Sequence, residues 1–119
     1  MKLKGAVAVI TGASRGLGRE LALALAHEGS QLIVGARTGL EELRQQIDHI
    51  GVPYYPCSVD LATEQGLSDF ETFIQQKSNT VDILVNNLGY IHPARPAEEL
   101  DWQEFKLSFF VNLFVPISL

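Results

Sequence analysis

Thr11-Gly12-Ala13-Ser14-Arg15-Gly16-Leu17-Gly18 lies between an apolar run, Ala6 to Ile10, and an alanine- and leucine-rich segment of helical periodicity. Strand, glycine turn and helix, in that order, is the arrangement in which a βα unit holds the pyrophosphate of a dinucleotide. A Cβ in such a turn would keep a phosphate away from the backbone N–H groups, and a tight strand-to-helix turn uses φ/ψ values that other residues resist. A helix starting near Gly16 aims unpaired N–H groups and its positive dipole end at the anion. Thr11, Gly12, Ser14, Arg15, Gly16, Leu17 and Gly18 are therefore the expected cofactor-binding residues of this turn. The alternative is a glycine-rich turn with no ligand.

Outward from the turn, short apolar runs alternate with helical patterns, the signature of an α/β domain with a parallel sheet. The runs Ala6 to Ile10, Gln31 to Ala36, Val52 to Ser58 and Val81 to Val85 read as four strands covered by helices. Pro53 and Pro56 cannot donate to a ladder, which makes the third an edge strand. Leu17, Leu21 and Leu25 predict the inward stripe of a first helix that Gly29 ends. Thr38 and Glu41 read as a capping box for a second helix carrying Leu40, Leu43, Ile47 and Ile50 and stopped by Gly51. Thr63 is the expected N-cap of a third, with Leu67, Phe70 and Ile74 inward. A fourth starts near Asp101-Trp102 and runs through Phe105, Phe109 and Asn112. Gly89 to Leu100 is the longest irregular stretch, lying beyond the fourth strand where ligands of open α/β sheets bind.

The 119 residues suffice for a single domain, 1–119, around one core. A net charge of −5 gives no long-range attraction to nucleic acid or to an anionic membrane, so any phosphate binding has to be local. Cys57 is the only cysteine, which leaves no internal disulfide and fits a reducing compartment. The apolar stretch after Met1-Lys2-Leu3-Lys4 is too short for a signal peptide or a membrane span, and a cytoplasmic protein is expected. His27, His49 and His92 share no metal-ligand spacing, so no metal is expected. No P-loop pattern is present.

An NAD-selective site usually places a carboxylate at the end of the second strand, to accept from the adenosine ribose hydroxyls. Here that strand ends Gly35-Ala36-Arg37. A guanidinium cannot accept those hydrogen bonds, but it makes forked, charge-assisted bonds to a 2′-phosphate. Arg37, with Arg15 in the glycine turn, points to NADP. The same missing carboxylate argues against a methyltransferase.

With these features in order, the chain resembles the amino-terminal half of a short-chain dehydrogenase/reductase. Thr11 to Gly18 matches that family's Thr-Gly-x-x-x-Gly-x-Gly turn, Asp60-Leu61 follows the third strand, and Asn86-Asn87-Leu88-Gly89 resembles the family's Asn-Asn-Ala-Gly. Trp102 followed by Val111-Asn112 resembles the helix that supplies the active-site Asn. The resemblance implies a Rossmann-like, doubly wound parallel sheet, here truncated to four strands in the order 3-2-1-4 with about four helices. It implies that Asp60 and Leu61 meet the adenine, although Asp60 also reads as a helix-preceding cap or surface carboxylate. Asn86 and Gly89 would steady the sheet, Asn87, Leu88 and Gly89 would line the cofactor groove, and Asn112 would be a catalytic, water-positioning residue. Leu88 stands where the family has Ala.

The family's proton-transfer pair is a Tyr with a Lys four residues on. Tyr54, Tyr55 and Tyr90 are followed at that distance by Ser58, Val59 and Ala94. A tyrosine with no nearby cation has a pKa near 10 and is a poor base at neutral pH. The chain is therefore expected to be a fragment of an NADP(H)-dependent oxidoreductase acting on a carbonyl/alcohol pair. The alternative is a catalytically silent dinucleotide-binding or interaction module. A fourth strand unpaired on its far side would expose an apolar edge, so self-association or a homo-oligomer is expected.

Overall fold

In the computed structural model, which describes residues 3–13 and 16–87, four parallel strands lie in the order β3-β2-β1-β4. They are β1 (Val7–Thr11), β2 (Gln31–Ala36), β3 (Tyr54–Ser58) and β4 (Ile83–Asn86), joined through helices α1 (Gly16–His27), α2 (Leu40–Ile50) and α3 (Glu64–Lys77). Both the strand order and the parallel pairing are those expected from the sequence. Three helices are seen among the described residues, and the fourth, expected near Asp101, lies outside them. No helix of the described residues is long and apolar enough to cross a membrane.

Alternation along the strands explains why helices cover both faces. Ala8 and Ile10 of β1 with Leu32, Val34 and Ala36 of β2 join a core shared with α1 and α2. Val7, Val9 and Ile33 point the other way, into a second core with Leu61 and with Leu67 and Phe70 of α3. The two sets interleave with a period of two, so the inner strands β1 and β2 are buried on both sides and read as continuous apolar runs. Gly35 fits this layering: a Cβ there would stand 2.9 Å from the Phe70 ring.

The edge position of β3 follows from its prolines. Leu32 N donates to Pro53 O and Val59 N to Ala36 O, so the odd-numbered residues of β3 turn their N–H groups toward β2. Pro56, two positions away from neither of these but between them in register with Val34, puts its missing donor on the outer side, where no ladder bond is lost. Val52 and Pro53 precede the strand instead of opening it. Val81 and Asp82 likewise precede β4. There Asp82 N donates to Val7 O at 2.9 Å and its carboxylate accepts from Val7 N at 2.8 Å, so a side chain joins the strand ends.

Two helix details differ from expectation. The buried seam of α1 is Gly18, Ala22 and Ala26, whereas Leu17 is 68% exposed and Leu21 and Leu25 are only half-buried. The helix lies so close to the sheet that small residues occupy the interface and the leucines flank it. At α2 the N-cap is Gly39, in the left-handed region (φ 79°), with no side-chain cap bond. Thr38 sits one residue too early to cap, and Glu41 pairs instead with Arg44 at 3.5 Å. By contrast, Thr63 caps α3 as expected, its hydroxyl accepting from Gly66 N at 2.9 Å.

Candidate coenzyme site at the carboxyl ends of the strands

Because all four strands run parallel, Thr11, Ala36, Ser58 and Asn86 end at the same edge of the sheet. The turns that leave this edge carry the residues singled out in the sequence. Gly12 to Gly18 leaves β1, Arg37 leaves β2, Asp60 and Leu61 follow β3, and Asn87 follows β4. Ser14, Arg15, Leu88, Gly89 and Asn112 lie outside the described residues.

The end of β1 is tied to both neighbours. Gly12 N donates to Gly35 O at 2.9 Å. Buried Thr11 donates through Oγ1 to Val85 O at 3.4 Å and accepts there from Asn87 N at 3.2 Å. The Asn87 side chain closes the set by donating from Nδ2 to Gly12 O at 3.0 Å. Thr11 and Asn87 thus brace the glycine turn from β4, a role for Asn87 more specific than lining a groove.

Two glycines of the turn are required for different reasons. A Cβ on Gly18 would collide with Gly12 O and with the Asn87 amide nitrogen, so the start of α1 can approach the end of β1 only if this side chain is absent. Gly16 has φ +62° and nothing within 4 Å of the place where a Cβ would be. Its requirement is conformational, and no other described residue crowds it. No acidic residue sits in the first turn of α1, so nothing there competes with an anion for the positive end of the helix dipole.

At the end of β2, Arg37 is exposed and makes no ion pair among the described residues; the salt bridge found there joins Arg44 and Glu41. Its carbonyl accepts from Ser58 Oγ at 2.9 Å. Asp60 is an exposed carboxylate ahead of α3: Oδ1 accepts from Ala62 N at 3.0 Å, while its carbonyl takes the Thr63 hydroxyl at 2.9 Å. Leu61 is 3% exposed, in the core beneath α3, so only its backbone could meet a ligand. The half-buried Cys57 has its pKa raised, by burial first and by nearby Asp69 second, which favours the protonated thiol over the thiolate. No cluster of His, Cys, Asp or Glu among the described residues could hold a metal.

Sequence reading excludes Tyr54 as the proton-transfer tyrosine and gives neither it nor Ser58 a structural role. Tyr54 is 7% exposed and donates from its hydroxyl to Leu40 O at 2.8 Å, with the Arg44 guanidinium 5.2 Å from its ring centre. Neither contact has a local signal, because the partners are distant in sequence.

Parallel strands in the order 3-2-1-4 with helices on both faces define a Rossmann-like unit, and comparison with known proteins narrows the class. The family model described as short chain dehydrogenase matches residues 6–119. Uncharacterized oxidoreductase YvaG of Bacillus subtilis (strain 168) is 36% identical over 124 residues, covering 100% of this chain and 45% of its own length. A crystal structure of a metagenomic short-chain oxidoreductase in complex with NADP matches with a TM-score of 0.89 and 30% identity, over 98% of this chain and 54% of that one. L-Sorbose reductase from Gluconobacter frateurii, crystallised with NADPH and L-sorbose, matches with a TM-score of 0.88 and 28% identity, over 98% and 46%. The chain belongs to the short-chain dehydrogenase family, and it spans about half the length of these relatives.

Proposed function

We propose that this chain is the coenzyme-binding part of an NADP(H)-dependent oxidoreductase acting on a carbonyl/alcohol pair. The observation that carries this reading is Arg37: an exposed guanidinium without an ion pair among the described residues, at the carboxyl end of β2, where an NAD-selective site would have a carboxylate. The NADP and NADPH bound to the two solved relatives support the choice.

The position of Gly16, clear of other described residues, and the lack of an acidic residue in the first turn of α1 fit a diphosphate. Ser14, Gly16, Leu17 and Gly18 would hold it chiefly through backbone N–H groups, while Gly12, whose own N–H is taken by Gly35 O, would let the turn approach it closely. Arg37 and Arg15 would take the 2′-phosphate, each as a charge-assisted donor. Asp60 Oδ2, which makes no hydrogen bond among the described residues, and the Leu61 backbone would meet the adenine. Asn87, Leu88 and Gly89 would flank the groove beyond β4, and Asn112 would position a water, as the family resemblance implies. The bound coenzyme supplies the hydride that a ketone or aldehyde accepts. None of the three tyrosines has a lysine four residues on, so no residue of this chain is assigned the proton transfer.

Titration of the chain with NADPH and NADH tests the binding claim, and saturable binding with NADPH preferred is expected. Absence of saturation with either coenzyme in folded protein overturns it. Oxidation of NADPH by a panel of ketones and aldehydes then separates a complete enzyme from a module that binds without turnover.

A further inference from the structure

The turn from Arg37 to Leu40 has no cap of its own. Arg37 and Thr38 are exposed, and Gly39 makes no side-chain hydrogen bond to the start of α2. It is nevertheless held at both ends, each time by a side chain of β3. Ser58 Oγ donates to Arg37 O at 2.9 Å, and the Tyr54 hydroxyl donates to Leu40 O at 2.8 Å. One backbone bond, Val59 N to Ala36 O at 3.0 Å, continues the same attachment.

Tyr54 is well placed for this. Its ring is buried between β3 and α2 and lies under the Arg44 guanidinium. Burial pushes its hydroxyl up to about 12 against the opposing influence of Arg44, so it remains a proton donor through any ordinary assay pH. Neither Ser58 nor Tyr54 belongs to the glycine turn that would hold the diphosphate.

We propose that the edge strand β3 sets coenzyme preference: Ser58 and Tyr54 are positioning residues that fix the two ends of the Arg37–Leu40 turn, so that the Arg37 guanidinium is presented to a 2′-phosphate. This rests on the reading of Arg37 given above. An exposed arginine on an untethered turn must have its backbone ordered when it binds; tethering that backbone in advance removes part of the cost. No hydrogen bond among the described residues joins β3 to the glycine turn, and the adenine contacts are common to both coenzymes, so a coenzyme without the 2′-phosphate should be far less sensitive to the tethers.

The test compares NADPH and NADH dissociation constants for the full chain, Ser58→Ala, Tyr54→Phe and the double variant. In the double variant NADPH affinity should fall about 5- to 20-fold, as expected if binding must then order about one residue's worth of backbone, with NADH affinity changed less than about twofold. Ser58→Thr, which keeps the hydroxyl, should retain the wild-type ratio. On an Arg37→Ala background the double substitution should leave NADPH affinity unchanged, the signature of action through Arg37. Equal weakening of both coenzymes, or a lowered melting temperature with an unchanged ratio, would overturn the proposal by showing a purely structural role. A wild-type chain without NADPH preference would overturn the Arg37 reading and this proposal with it. A wild-type preference that is undiminished in the double variant would overturn this proposal alone.

Discussion

Two turns leave the same edge of the sheet, and they are built in opposite ways. The β1–α1 turn is defined by what is absent: Gly18 has no room for a Cβ, and Gly12 is braced through backbone atoms and Asn87. The β2–α2 turn is defined by what side chains add, an exposed guanidinium and two tethers from β3. Backbone amides recognise any diphosphate, whereas a guanidinium distinguishes a phosphate from a hydroxyl. On the proposed reading, common binding and selective binding belong to different turns, and substitutions in one should leave the property of the other intact.

The largest expected effect is at the first turn. In Gly18→Val the added carbons meet Gly12 O and Asn87, so α1 must move away from β1. We expect overpacking to cost about 1–3 kcal/mol of stability and binding of NADPH and NADH to fall together by more than about tenfold, as a displaced turn loses its amide geometry. Chemical denaturation and coenzyme titration of the same variant check this; loss confined to one coenzyme would break the division between turns. Asn87→Ala is the milder version. It removes the 3.0 Å bond to Gly12 O, should cost about 1 kcal/mol, and should weaken both coenzymes by similar factors in fluorescence titrations.

Alkaline pH bears on the second turn. The Tyr54 hydroxyl is raised to about 12 from its ordinary 10.0, so folding favours its protonated form. The stability this contributes is fully present below pH 10 and is lost as pH rises toward 12. Urea midpoints measured from pH 9 to 11.5 should therefore fall more for wild type than for Tyr54→Phe. The smallest effect is expected at Thr63→Ala, which deletes the α3 cap at a cost of about 1 kcal/mol. Since α3 packs beneath the sheet, far from both turns in function, the ratio of coenzyme affinities should not change.

The contrast also explains what was legible in the sequence. The glycine turn, the alternating strands, the β3 edge and the Thr63 cap all rest on local rules: spacing, period and the chemistry of a single residue. Their placements agree with the structure to within a residue or two. The α1 stripe was misread because Leu17, Leu21 and Leu25 have the right period, but distance to the sheet, not hydrophobicity, selects Gly18, Ala22 and Ala26 for the seam. Thr38 and Glu41 have capping-box spacing, yet the left-handed Gly39 starts the helix later than that box requires. Arg37 was visible as a charge at a strand end. Its support from Ser58 and Tyr54 was not, because hydrogen bonds between residues 21 and 14 positions apart leave no periodic trace.

The most direct test of the division between the two turns is a paired titration of wild type and Arg37→Asp with NADPH and NADH. Loss of the charge-assisted contact should weaken NADPH by about 1–3 kcal/mol, roughly 5- to 150-fold, while NADH affinity holds or improves because the new carboxylate can accept from the ribose hydroxyls. Unchanged NADPH affinity, or equal loss of both coenzymes, would contradict the assignment of phosphate selection to Arg37.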